Sequence, residues 1–276
     1  MRYAFLSTAA LAAFAGCGGA GSDIHRQTPS PTPTPAPLTH ERFSLTAAVP
    51  GAEFVGGVSV DPSNGHLWVL ASAAGLAELD LQGHLLSLTK FEPEGLQDRG
   101  FVDLARLADG SFVLATSSEA LHYRPDTRAL ETYFCLEPGW GLDYTVNKAV
   151  VADAAGGRIF AAPARYQGGG VAPVLLGAGH AQYKISDGSF IALSDVMESG
   201  VLAEGLAFLP SGELLAVQGT TIYRFDMQGK LHQSVALEGV AEATGLAYDA
   251  AHDQLWVTDG GARDLHRFDR QALLGH

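Results

Sequence analysis

Gly245-Leu246-Ala247-Tyr248-Asp249, then after a short gap Leu255-Trp256-Val257-Thr258, is a phrase this chain writes more than once. The other clear copy is Gly57-Val58-Ser59-Val60-Asp61 followed by Leu67-Trp68-Val69-Leu70. Each copy runs on through a turn into an Ile/Leu-x-x-x-Asp stretch, as in Ile222-Tyr223-Arg224-Phe225-Asp226 and Leu265-His266-Arg267-Phe268-Asp269. Short apolar runs of this kind, separated by Gly, Pro and Asp, read as strands. So small a unit cannot bury its own apolar face, so copies have to stack. Aligned on their second strands at Gly65, Gly110, Gly157, Gly212 and Asp253, five copies stand 45, 47, 55 and 41 residues apart. That spacing is close to the period of four-stranded propeller blades.

Within the fourth unit the strands are expected at Gly205 to Leu209, Glu213 to Val217, Ile222 to Asp226 and Lys230 to Leu237. The turn Asp226-Met227-Gln228-Gly229 has its twin in Asp80-Leu81-Gln82-Gly83, with Gly supplying the positive φ that tight hairpins need. The last unit lacks a fourth strand, since only Arg270 to His276 follow Asp269. An unassigned alternating run, Glu41 to Val49, is available at the other end. Pairing the two would close the ring and cover two strand edges. The expected fold is an all-β propeller of four-stranded blades over residues 41–276, five by count, closed by the N-terminal strand.

Residues 1–16 read as a signal peptide rather than as part of the fold. Arg2 precedes an apolar run, Tyr3 to Ala15, that is too short to remain as a membrane span. The run ends in Phe14-Ala15-Gly16-Cys17, which resembles the lipobox of bacterial lipoproteins, with Phe14 departing from the usual Leu. The resemblance implies cleavage before Cys17 and acylation of that residue with chains such as palmitate. Several acyl chains suffice for stable anchoring. With Gly18 rather than Asp next, it implies the cell envelope and the outer membrane as the address. Residues 17–40 follow as a lipidated Cys and a tether, in which Thr28 to Pro37 alternates Pro with small residues. Such a run favours extended polyproline II at about 3.1 Å per residue. Only Cys135 remains besides Cys17, so lipidation would leave no intrachain disulfide, and Cys135 in Thr132-Tyr133-Phe134-Cys135-Leu136 reads as a small buried hydrophobe.

Acidic residues outnumber basic ones 30 to 17, and no basic stripe is present. Nucleic acid is therefore not an expected partner, because its binding needs clustered Lys and Arg.

The repeat pattern resembles NHL-repeat and SMP-30/gluconolactonase-like propellers. The segment from Gly245 to Asp249, continued by Val257-Thr258-Asp259-Gly260-Gly261-Ala262-Arg263-Asp264-Leu265, is close to a full NHL repeat. Many relatives of this kind carry six blades, although only five copies are found here. The resemblance implies a functional face formed by the segments leading into each first strand and by the loops between second and third strands. Register then places Gly56, Val102, Lys148, Glu204 and Thr244 beside the central channel, preceded by Val55, Phe101, Asn147, Ala203 and Ala243. SMP-30-like hydrolases hold a divalent cation such as calcium with a Glu, Asn and Asp set, because a hard cation needs several oxygens. Glu204 and Asn147 offer two. Lys148 opposes a metal there, and a Lys148–Glu204 ion pair is the expected arrangement, with no cofactor.

On the same face, the third unit carries a Gly-rich excursion from Arg165 to His180, preceded by Gly139-Trp140-Gly141-Leu142-Asp143-Tyr144. Trp140, Asp143, Tyr144, Arg165 and Tyr166 are the candidate ligand or partner residues, since amphipathic rings with a few polar groups suit recognition. A self-packed Ω-loop is the alternative. His122 and His266 occupy matching third-strand positions, and Trp68 and Trp256 matching second-strand positions, so all four read as core. No Gly-x-Ser-x-Gly, His-Glu-x-x-His, P-loop or paired-Cys motif occurs. The expected function is a lipid-anchored, non-catalytic module binding a protein, peptide or glycan. A cation-dependent lactonase- or esterase-like hydrolase and a structural envelope subunit are the alternatives.

Overall fold

The computed structural model describes residues 40–71, 75–91, 100–116, 119–135, 147–152, 159–163, 170–174, 191–192 and 203–275. The chain divides into two compact units, Met1–Pro37 and Leu38–His276, and all described residues belong to the second. Its first elements are β1 (His40–Ser44) and a single helical turn, α1 (Leu45–Ala48). Sheet one follows as β2 (Val55–Val60), β3 (Leu67–Ala71), β4 (Gly75–Leu79) and β5 (Leu85–Thr89). Sheet two is β6 (Asp103–Arg106), β7 (Phe112–Ala115), β8 (Glu119–Arg124) and β9 (Ala129–Cys135). Sheet three is β10 (Asn147–Ala152), β11 (Ile159–Pro163), β12 (Gly170–Val174) and β13 (Ile191–Ala192). Sheet four is β14 (Gly205–Phe208), β15 (Leu214–Gln218), β16 (Thr221–Phe225) and β17 (Leu231–Ala236). The last strands are β18 (Ala243–Asp249), β19 (Gln254–Asp259) and β20 (Asp264–Asp269), followed by α2 (Arg270–Leu274).

Among the described residues these strands form five four-stranded antiparallel sheets, the fifth in the order β1-β20-β19-β18. The first strand of each sheet touches the first strand of the next, from β2 through β6, β10 and β14 to β18, and β18 touches β2 again. Among the described residues the ring thus closes on five sheets. Alternation explains why the second strands are apolar throughout. Leu67 and Val69 of β3 pack towards the fifth sheet with Trp256 and Leu265, while Trp68 and Leu70 pack towards the second with Leu104 and Phe112. The second strands β3, β7, β15 and β19 are buried on both faces, so they read as continuous hydrophobic runs rather than alternating ones. Trp68, Trp256, His122 and His266 are all buried, as expected.

Two expectations need correction, the extent of the closing strand and the third unit's excursion. The closing strand is shorter than Glu41 to Val49: pairing with β20 runs only from His40↔Phe268 to Ser44↔Asp264. Leu45 then turns into α1 and buries its side chain against the first and fifth sheets. In keeping with the missing fourth strand of the last unit, Asp269 caps α2 by accepting from the Ala272 amide at 2.8 Å, which turns Leu273 and Leu274 into the core. Part of the third unit's Gly-rich excursion is a strand, β12, paired with β11 and β13. Pro173 faces Phe160 of β11, and among the described residues β13 pairs with Gly170 and Val171.

Three of the alignment glycines mark one conformation, and Gly157 lies outside the described residues. Gly65, Gly110 and Gly212 have φ of 75°, 86° and 85°, and Asp253 takes φ 55° at the same place. A side chain in that region is strained. Asp253 offsets the strain by holding the Arg270 guanidinium bidentately, with Nη2 at 2.8 Å, and by accepting from Tyr248 Oη at 2.9 Å.

Candidate functional site

Neighbouring first strands approach closely at Gly56, Gly57, Gly205 and Gly245, with Asp103 of the second sheet facing Gly57. A Cβ built on Gly245 would stand 2.6 Å from Gly57 Cα, and one on Gly205 would stand 2.5 Å from the Leu246 nitrogen. Glycine is required because neighbouring backbones approach through the space a side chain would fill. Asp103 is the exception. Its Oδ1 lies 1.6 Å from where a Gly57 Cβ would be, so the carboxyl occupies the room that Gly57 leaves. Oδ2 accepts from the Val150 amide of the third sheet at 2.7 Å and Oδ1 from its neighbour Leu104 at 2.8 Å. Burial drives this carboxyl well above the usual carboxylate range, against the two amides that favour its charged form.

Above this constriction, on the side from which the first strands arrive, polar groups stitch blades together. Thr258 Oγ1 donates to Gly56 O at 2.6 Å and Thr244 Oγ1 to Val55 O at 2.8 Å. Glu204 Oε2 accepts from the Gly219 amide at 3.1 Å. Asn147 and Lys148 begin β10, but their side chains lie outside the described residues, and so does the expected Lys148–Glu204 pair. Trp140, Asp143, Tyr144, Arg165, Tyr166 and Cys17 lie outside the described residues as well. Among the described residues no group of three His, Cys, Asp or Glu side chains is placed to hold a metal ion.

Below the constriction, where the first strands leave, a central cavity of about 610 Å³ is lined by all five sheets. Its wall runs through Val58 to Pro62, Leu104 to Arg106, Val150 to Ala152, Leu206 to Phe208 and Leu246 to Ala251. Consecutive residues line it, whereas side chains of a strand alternate between two faces. The lumen is therefore walled in large part by strand edges.

Five polar side chains line the cavity, and each has an internal partner. Ser59 Oγ accepts from the Arg106 amide at 3.0 Å. Arg106 Nε meets Asp61 Oδ2 at 3.0 Å, and its guanidinium lies 4.5 Å from the Phe112 ring centre and 5.2 Å from that of Trp68. Burial by itself would raise the Asp61 pKa, but the Ser63 hydroxyl and amide and the Arg106 charge more than offset this and hold it below its usual value. Asp249 accepts from the Ala251 amide at 3.0 Å and contacts His252 Nδ1 at 2.7 Å. Tyr248 donates to Asp253.

Sequence reasoning did not single out Asp103, Arg106 or this cavity. The alignment carried a signal for both residues. Asp103 stands where the other units have Gly or Ala, and Arg106 where they have Val60, Ala152, Phe208 and Tyr248.

No protein-family model matches the chain, and no curated protein matches it in sequence. Solved structures do. A chain of a nidogen/laminin complex is similar at 15% identity over 74% of this chain and 72% of that one, with a TM-score of 0.50. A luciferin-regenerating enzyme is similar at 14% identity over 83% and 95%, with a TM-score of 0.51. A gluconolactonase from Xanthomonas campestris follows at 12% identity over 84% and 95%, with a TM-score of 0.49. The chain folds as a β-propeller. At these identities the likeness speaks for the fold alone.

Proposed function

We propose that the chain is a non-catalytic binding module, held at the cell envelope by a lipid on Cys17, that seats a ligand group in its central cavity. One observation carries this reading: all five polar side chains lining the cavity are committed to internal partners. The described lining also holds no His, Cys or Lys that could serve a nucleophile as its base. What this one offers is volume, apolar surface and strand edges, and its size lies within the usual range of small-ligand sites. The expected ligand is an end of a glycan or a short peptide, whose hydroxyls or amides match uncharged backbone donors and acceptors. Trp140, Asp143, Tyr144, Arg165 and Tyr166 are proposed as a second contact surface for the same partner class. The similar structures include a member of a protein–protein complex and an enzyme, so fold likeness does not choose between binding and hydrolysis.

The test uses Ala250→Trp, an exposed turn residue at the cavity mouth. Wild type is expected to show a rise in melting temperature with some member of a panel of monosaccharides and tripeptides, and the variant to lose it. Turnover of lactones or esters that needs calcium, and that Glu204→Ala abolishes, would replace this reading with the hydrolase.

A further inference from the structure

The fifth sheet holds the fold's most anomalous side chain. His266 is fully buried, and neither ring nitrogen has a hydrogen-bond partner. Buried polar groups are nearly always paired, so two such atoms on one ring weigh against the closed state. The nearest charge, Asp259 Oδ2, stands 3.7 Å from Nε2. That carboxylate is engaged elsewhere, accepting from the amides of Ala241, Glu242 and Ala262 at 2.6, 3.1 and 2.9 Å.

Position gives this residue its significance. His266 lies directly across from Arg42 in the pairing of β1 with β20. The His40 ring, on the same face of β1, sits 5.4 Å from the His266 ring and 5.1 Å from Phe268. Arg42 is tied to the buried Asp264. The charged and titratable groups that act on His266 are thus His40 and Arg42 from β1, Asp259 from β19 and Asp264 from β20. The β1 strand is an outer strand, bonded on one side only, and it is the one strand of its sheet drawn from the other end of the chain.

We propose that the pairing of β1 with β20 is an acid-sensitive clasp in which His266 is the sensor. Closed, the clasp buries His266 without a hydrogen-bond partner and holds it neutral. Open, the ring meets water and takes a proton freely. Burial, with His40 and Arg42 adding repulsion, lowers the pKa of the closed state below 6.5, against the pull of Asp259 and Asp264. The closed state therefore binds fewer protons than the open one. It is favoured fully above pH 6.5 and loses ground as pH falls through the closed-state pKa. One proton taken up on opening changes the open-to-closed ratio about tenfold per pH unit in that window.

Native-state hydrogen exchange of the full chain in detergent micelles, from pH 7.5 to 5.0 and corrected for intrinsic rates, tests this. The amides pairing β1 with β20 are expected to lose protection by about tenfold per unit below pH 6.5, while those pairing β8 with β9 hold theirs. His266→Phe should remove the pH response, Phe being close in size to the Tyr223 of the matching position. His40→Gln should retain a response. Unchanged protection at β1, a parallel loss in all sheets, or a response that survives in His266→Phe or vanishes in His40→Gln would each overturn the proposal.

Discussion

Arg106 shows how a single residue ties two blades and lines the cavity at once. Its guanidinium neutralises Asp61, packs on Trp68 and Phe112, and also reaches the Gly110 carbonyl. Both charges are largely buried, so removing one strands the other, at a typical cost of about 3–5 kcal/mol. Arg106→Met should lose about that much in urea unfolding, and Asp61→Asn in the same chain should recover part of it. Asp103 makes the opposite pH statement to Asp61. Its folded-state pKa is raised, so the folded state holds the proton more tightly. The stability this contributes is complete below pH 3.8 and is lost as pH rises through the folded pKa. Urea midpoints measured across pH should show Asp103→Asn gaining on wild type as pH increases above 3.8. A constant difference would mean that Asp103 does not carry the proton.

At the scale of elements, the repeat made strand order, the hairpin turns and the closing strand readable in advance. Strands of the fourth sheet fall within one residue of expectation at every end, because Pro210-Ser211-Gly212 and Asp226-Met227-Gln228-Gly229 punctuate them. The N-terminal strand was found from its alternation, but its end was not. Leu45 keeps the apolar pattern going while the backbone turns to follow the core. In the third unit Gly and Pro dominate, and local composition masks the pairing that β12 makes with β11. Glycines that look alike in sequence do different work. Gly65→Ala meets nothing within 4 Å and carries only the cost of its positive φ, about 1–2 kcal/mol. Gly245→Ala drives a methyl group into the Gly57 backbone and Thr258, and overpacking should make it the more damaging, by up to about 3 kcal/mol. Melting temperatures of the two variants should rank in that order.

For the whole molecule, the ring of five sheets and its closure were legible because stacking is the only way such units bury both faces. The functional centre was less legible. Close approach of neighbouring backbones at Gly56, Gly57, Gly205 and Gly245 is not written in any one copy of the repeat. The cavity is a property of five strands together, and no single copy of the repeat announces it. Glu204 is half-buried and accepts from the Gly219 amide. Whether it serves a cation or the fold separates hydrolase from binding module. Calorimetric titration of calcium into the chelated protein tests this most directly. A binding module should give no binding heat and an unchanged melting temperature. Stoichiometric micromolar binding that Glu204→Ala removes would contradict it.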